Sequence, residues 1–127
     1  MKLRMTHNSI RIRIRKSELA RLAQDHRIAE SIAFGPSMHF HFSLSILPTG
    51  STLSADLGQQ EIRVSLPFSL AQPWMNSAEV SLEAHHPLEN GASLHILVEK
   101  DFPCLDRVDE NKADTFWELA PETSEAC

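Results

Sequence analysis

The sequence predicts an α+β domain: an antiparallel-rich sheet of about eight strands, closed as a sandwich or barrel, with two short helices. Three observations lead there. Residues 10–15 read Ile-Arg-Ile-Arg-Ile-Arg, and residues 39–46 alternate histidine or serine with Phe40, Phe42, Leu44 and Ile46. Strict alternation sends successive side chains to opposite faces of a strand, so one face packs and the other meets water. Asn90-Gly91 falls between two further alternating runs, and both residues tolerate the positive φ of a tight hairpin.

In chain order, Lys2–Thr6 alternates with Leu3 and Met5 inward, and His7-Asn8-Ser9 turns into the Ile10/Ile12/Ile14 strand. Ser17 has the hydroxyl of a helix N-cap, and Glu18 suits the positive end of the helix dipole. Leu19, Leu22 and Ala23 have helical spacing, with the helix ending near Asp25. Residues 27–34 form a third strand, with Ile28, Ile32 and Phe34 on one side. Glu30 interrupts that side, which suits an edge strand. Gly35-Pro36 turns into the strand of Phe40 and Phe42, and Pro48-Thr49-Gly50-Ser51 closes this half.

The second half reads strand (52–57), turn (58–60), strand (61–66), helix (69–76), strand (79–85), turn, strand (93–101). Pro73 lacks an N–H and weakens that helix unless it lies in the first turn. Shifting the first half by 52 places Ile10, Ile12 and Ile14 on Ile62, Val64 and Leu66, and Ile28 on Val80. Pseudo-repeats at about 1–47 and 51–101 would arise from an internal duplication, and chance among apolar strands yields similar matches. The expected core is Ile10, Ile12, Ile14, Leu19, Leu22, Phe40, Phe42, Leu44, Ile62, Val64, Leu66, Trp74, Val80, Leu94, Ile96 and Val98. Residues 1–106 then form one domain, and 107–127 an acidic irregular tail.

The 127 residues are 42% hydrophobic and 23% charged, which fits one globular domain rather than a disordered chain. No apolar run approaches the ~20 residues that cross a bilayer, so no membrane association is expected. The first residues lack the apolar core of a signal peptide. With only two cysteines, one of them Cys127, the expected compartment is the cytoplasm.

Net charge is −5, yet residues 1–27 carry eight basic side chains against Glu18 and Asp25. Such asymmetry suits a nucleic-acid-binding arm through Arg11, Arg13, Arg15 and Lys16. It equally suits basic strands facing acidic ones, with Glu99 and Asp101 pairing with Arg11, Arg13 or Arg15. The second account is preferred, because a negative domain repels phosphate. No aromatic residue interleaves with the arginines to stack on bases.

Asn8-Ser9-Ile10-Arg11-Ile12-Arg13-Ile14, followed by Ser17-Glu18-Leu19, resembles the opening of a small bacterial family, a domain of unknown function. Ile96-Leu97-Val98-Glu99-Lys100-Asp101-Phe102-Pro103-Cys104-Leu105 is similar to its closing motif. Leu53-Ser54-Ala55 and Trp74 add to the likeness, which spans about residues 1–106; Pro73 and Pro103 depart from it. The resemblance implies a single-domain bacterial protein and lends no catalytic or binding residues.

Seven histidines are the main chemical resource. His39 and His41 share a strand face with Cα atoms ~6.5–7 Å apart. If strands 38–46 and 93–101 are neighbours, His95 completes a zinc-ligand set with them, since neutral imidazole is a zinc ligand. The competing reading makes all three surface histidines. His85-His86 precedes a proline turn. Glu99 and Asp101 have the chemistry of an acid–base pair but suit ion pairing better. Cys104, among apolar and acidic neighbours, reads as a packed thiol. Phosphate loops, Cys-x-x-Cys pairs and nucleophile elbows are absent from the sequence.

The expected function is a non-enzymatic binding or interaction module with a protein or small-molecule partner and no required cofactor. The alternatives are a metal-dependent or histidine-based enzyme using His39, His41 and His95, with zinc its one candidate cofactor, and a weak nucleic-acid binder through the arginine face. The sequence leaves the oligomeric state open.

Overall fold

The computed structural model describes residues 1–102 and 116–119. The readings of Cys104, Cys127 and most of segment 107–127 lie outside those residues. Eight strands and two helices follow in order: β1 (Lys2–Thr6), β2 (Ser9–Ile14), α1 (Lys16–Asp25), β3 (Arg27–Gly35), β4 (Met38–Leu47), β5 (Ser54–Leu57), β6 (Glu61–Pro67), α2 (Phe68–Met75), β7 (Ser81–Pro87) and β8 (Ser93–Lys100).

Among the described residues the strands do not form one sheet, and no barrel closes. They divide into two four-stranded sheets, ordered β1-β2-β8-β7 and β3-β4-β6-β5. Each sheet is mixed: its central pair, β2 with β8 or β4 with β6, is parallel, and its outer pairs are antiparallel. Parallel neighbours need a long crossover. Here each sheet obtains one by taking a hairpin from each half of the chain.

The registers of the two sheets correspond. Leu3 opposite Ile12 recurs 52 residues on as Ala55 opposite Val64. Ile28 opposite Leu44 recurs 54 residues on as Leu82 opposite Val98. The position matching Ile28 is therefore Leu82, not Val80. Leu82 is buried, whereas Val80 is 45% exposed and leaves the expected core.

Alternation delivers one buried cluster to which both sheets and both helices contribute, including Ile12, Ile14, Leu22, Leu44, Val64, Leu66, Trp74, Ile96 and Val98. Burying each such side chain stabilises the fold by about 1.5–3 kcal/mol. Ile28, Ile46, Leu53, Ala71 and Leu82 belong to this core as well. Ile10, Leu19, Phe40 and Leu94 pack at its margin. Ile32 and Phe34 do not: β3 is an edge strand, as Glu30 suggested, and its far end passes beyond the packed layer.

Helix α1 starts at Lys16, two residues earlier than a Ser17 cap allows. Arg15 occupies the cap position, and Glu18 reaches back to accept from the Arg15 backbone N–H at 2.9 Å. A carboxylate three residues into the helix does the work expected of the hydroxyl. His26 ends the helix in the left-handed region (φ 61°), donating its N–H to the Leu22 carbonyl. Helix α2 retains Pro73 in its second half, outside the first turn. The helix is held by Trp74, which is fully buried and donates its Nε1 proton to the Val80 carbonyl at 3.1 Å.

Candidate functional site

Register and alternation place Lys2, Arg4, Ser9, Arg11, Arg13, Glu83, His85, His95, Leu97 and Glu99 on the outer face of the first sheet. One end of this face is an ion-pair cluster. Arg13 stands opposite Glu99 in the parallel pair, and its Nε donates to Glu99 Oε1 at 2.7 Å. Arg11 donates to the same oxygen. Arg13 also approaches Asp101 at 3.8 Å, and Lys2 Nζ lies 3.4 Å from that carboxylate. Phe102 covers the Arg13 guanidinium, with 4.8 Å from its central carbon to the ring centroid. Glu99 is 6% exposed, and the two guanidinium groups supply the polar contacts that water cannot reach to make.

The four basic residues named from the sequence thus differ in state. Arg11 and Arg13 are engaged by Glu99. Arg15 lies 3.4 Å from Glu18. Arg15 and Lys16 line an open recess of 280 Å³ with Leu19, Met75 and Lys100. That recess sits where β2 and β8 end. Lys100 Nζ donates there to the Trp74 and Ser77 carbonyls, each at 2.7 Å, tying the end of α2 to β8.

Beside it, the Met1 ammonium contacts both Glu18 and Glu30, at 2.7 Å for Glu30. Burial alone pushes the Glu18 carboxyl up. Hydrogen bonds from the Met1 ammonium and the Arg15 N–H, with the ammonium's charge and a lesser bond from the Arg15 side chain, outweigh burial and hold it below the usual carboxylate value.

The opposite end of the face holds His85 and His95. His39 and His41 lie on β4 in the second sheet, and His95 lies on β8 in the first, so the expected trio does not assemble. His39 and His41 stack on each other with ring centroids 6.2 Å apart, and His41 is paired in register with Glu61. His95 instead meets His85, its antiparallel partner on β7; the rings are parallel within 4°, with centroids 4.3 Å apart. Glu83, two residues before His85 and therefore on the same face, places Oε2 2.9 Å from His95 Nε2. Its other oxygen lies 4.0 Å from His85 Nε2.

One ligand atom from each of Glu83, His85 and His95 lies within 4.8 Å of the others. Ligands around a tetrahedral metal with bonds of ~2.1 Å are ~3.4 Å apart, so small side-chain rotations close the set. Ser9 Oγ lies 3.5 Å from His95 Nδ1 and can orient the ring from behind, as outer-shell partners of metal-binding histidines do. The trio is open to solvent: the Glu83 and His85 side chains are 53% and 61% exposed, and that of His95 30%.

The sequence held the signal for this cluster. His85 and His95 are equidistant from Asn90, so a hairpin turning there pairs them directly. Asn90 (φ 65°) and Gly91 (φ 76°) both take the left-handed conformation that such a turn uses.

Fold and site together define an α+β domain of two mixed sheets with a carboxylate–imidazole cluster on one outer face. The chain belongs to a family of unknown function (DUF7009), whose model matches residues 1–119. No curated protein and no solved structure matches it. Among the described residues, no helix is long and apolar enough to cross a membrane.

Proposed function

We propose that the protein is a binding module for a divalent metal ion of the zinc class, held by Glu83, His85 and His95. The observation that carries this reading is the convergence of two imidazoles and a carboxylate from adjacent strands onto one point. Imidazole nitrogen with carboxylate oxygen suits zinc and neighbouring transition metals better than calcium or magnesium, which prefer all-oxygen sets. The strand backbone fixes all three Cα positions, so little ordering accompanies binding.

A binding rather than catalytic role is supported by the exposure of the trio: the Glu83 and His85 side chains are 53% and 61% exposed, so these ligands stand on open surface rather than inside a cleft. The arginine face is a weaker candidate for nucleic acid, because Arg11 and Arg13 already neutralise Glu99.

Titration calorimetry with zinc chloride tests the reading. One ion per chain is expected, with binding lost in His85→Ala and His95→Ala and kept in His39→Ala. No heat of binding in the intact protein, or binding that survives both site variants, overturns it.

A further inference from the structure

Three ligands leave a tetrahedral ion one short, and two of them stand on β7, the edge strand of the first sheet. Resting on the metal reading above, we infer that the fourth ligand comes from a second copy of this chain: two β7 strands pair antiparallel about Ala84, and Glu83 of each copy completes the metal site of the other.

Backbone parity decides which residues face the outer edge of β7, which has no strand partner among the described residues. Val80 accepts from Lys100 N at 2.9 Å, and Leu88 donates to the Ala92 carbonyl at 2.7 Å. Even-numbered residues of this segment therefore direct their backbone groups toward β8. Ser81, Glu83 and His85 direct theirs outward, where a second strand bonds. An antiparallel pairing centred on Ala84 uses these outward residues and sets Glu83 of one copy opposite His85 of the other.

Directly opposed side chains on one face have Cβ atoms ~4.5–5.5 Å apart, within reach of a shared ion. The Glu83 carboxylate has two oxygens, so it serves its own site with one and the opposite site with the other. Each ion then takes His85, His95 and Glu83 from one copy and Glu83 from the second.

Apolar exposure at the strand's ends supports the same register. Val80 and Leu88 flank β7 and are 45% and 48% exposed. Pairing about Ala84 places Val80 of one copy opposite Leu88 of the other, at both ends of the interface. A register centred on Glu83 opposes two carboxylates and is disfavoured. Pro87 has no N–H to donate outward, so its pairing with Ser81 rests on one bond only. That makes the edge a poor general template and leaves assembly dependent on the metal.

Sedimentation velocity with and without one equivalent of zinc, alongside calorimetry, tests the inference. The expected result is a monomer in EDTA and a dimer with zinc, at one ion per chain. Leu88→Lys, on the exposed flank and folded as judged by circular dichroism, should bind zinc as a monomer. A zinc-loaded intact protein that stays monomeric overturns the shared site and leaves the metal reading standing. No zinc binding at all overturns the metal reading itself. A Leu88→Lys variant that dimerises as the intact protein does, or a dimer that persists in EDTA, overturns the register and the metal bridge.

Discussion

Arg13 and Glu99 stand opposite each other in the parallel β2–β8 pair, with 2.7 Å between guanidinium Nε and carboxylate Oε1. The contact joins the two halves of the chain at the centre of the first sheet. It also absorbs part of the charge asymmetry of the sequence: basic β2 lies beside the Glu99 carboxylate of β8. An exposed pair of this kind contributes only ~0–1 kcal/mol, but Glu99 is buried.

Glu99→Gln should therefore cost about 3 kcal/mol, because it leaves Arg11 and Arg13 side by side without their shared carboxylate. Urea unfolding measures this. A loss below about 0.5 kcal/mol would show that water already screens the cluster.

Glu18 gives a pH dependence with a definite sign. Its folded carboxyl titrates below the ordinary 4.5, so its contribution is complete above that value and is lost as pH falls through the folded value. Glu18→Gln should flatten the acid limb of stability against pH below about 4.5. An unchanged limb would mean that other carboxylates set it.

Lys100 links α2 to β8 through two carbonyl oxygens and lies over the Trp74 ring at 5.5 Å. Lys100→Met keeps the aliphatic stem and removes the charged donor, and should cost about 2 kcal/mol. Chemical denaturation followed by tryptophan fluorescence reads the change.

Gly91 holds φ at 76° in the turn that sets His85 opposite His95, and a Cβ there would meet nothing within 4 Å. Gly91→Ala is thus a test of backbone conformation alone and should cost about 1 kcal/mol. Unaltered stability would indicate that the turn relaxes to another type, and zinc affinity would then shift with the register.

Local signals carried much of this architecture. Alternation marked β2, β4, β6 and β8, and Asn90-Gly91 marked the last hairpin. The relation between Glu99 and the arginines was also legible, because opposite charges on alternating strands have few other places to go. What lay beyond local reading was long-range pairing. Nothing in residues 10–14 specifies a parallel neighbour at 96–100, and nothing local divides eight strands into two sheets rather than one.

The expected meeting of His39 and His41 with His95 did not occur for the same reason, since it needed β4 beside β8. His85 with His95 needed only the turn between them. Ser17 was outcompeted as a cap by Glu18, whose longer side chain reaches the Arg15 N–H from within the helix.

The central claim is that Glu83, His85 and His95 form one metal site, and zinc titration of the intact protein against His95→Ala tests it most directly. One ion per chain, with affinity falling by at least ~100-fold in the variant, is the predicted result, since even outer-shell losses cost 10–100-fold. Equal affinity in the two proteins, or no binding to either, would contradict it.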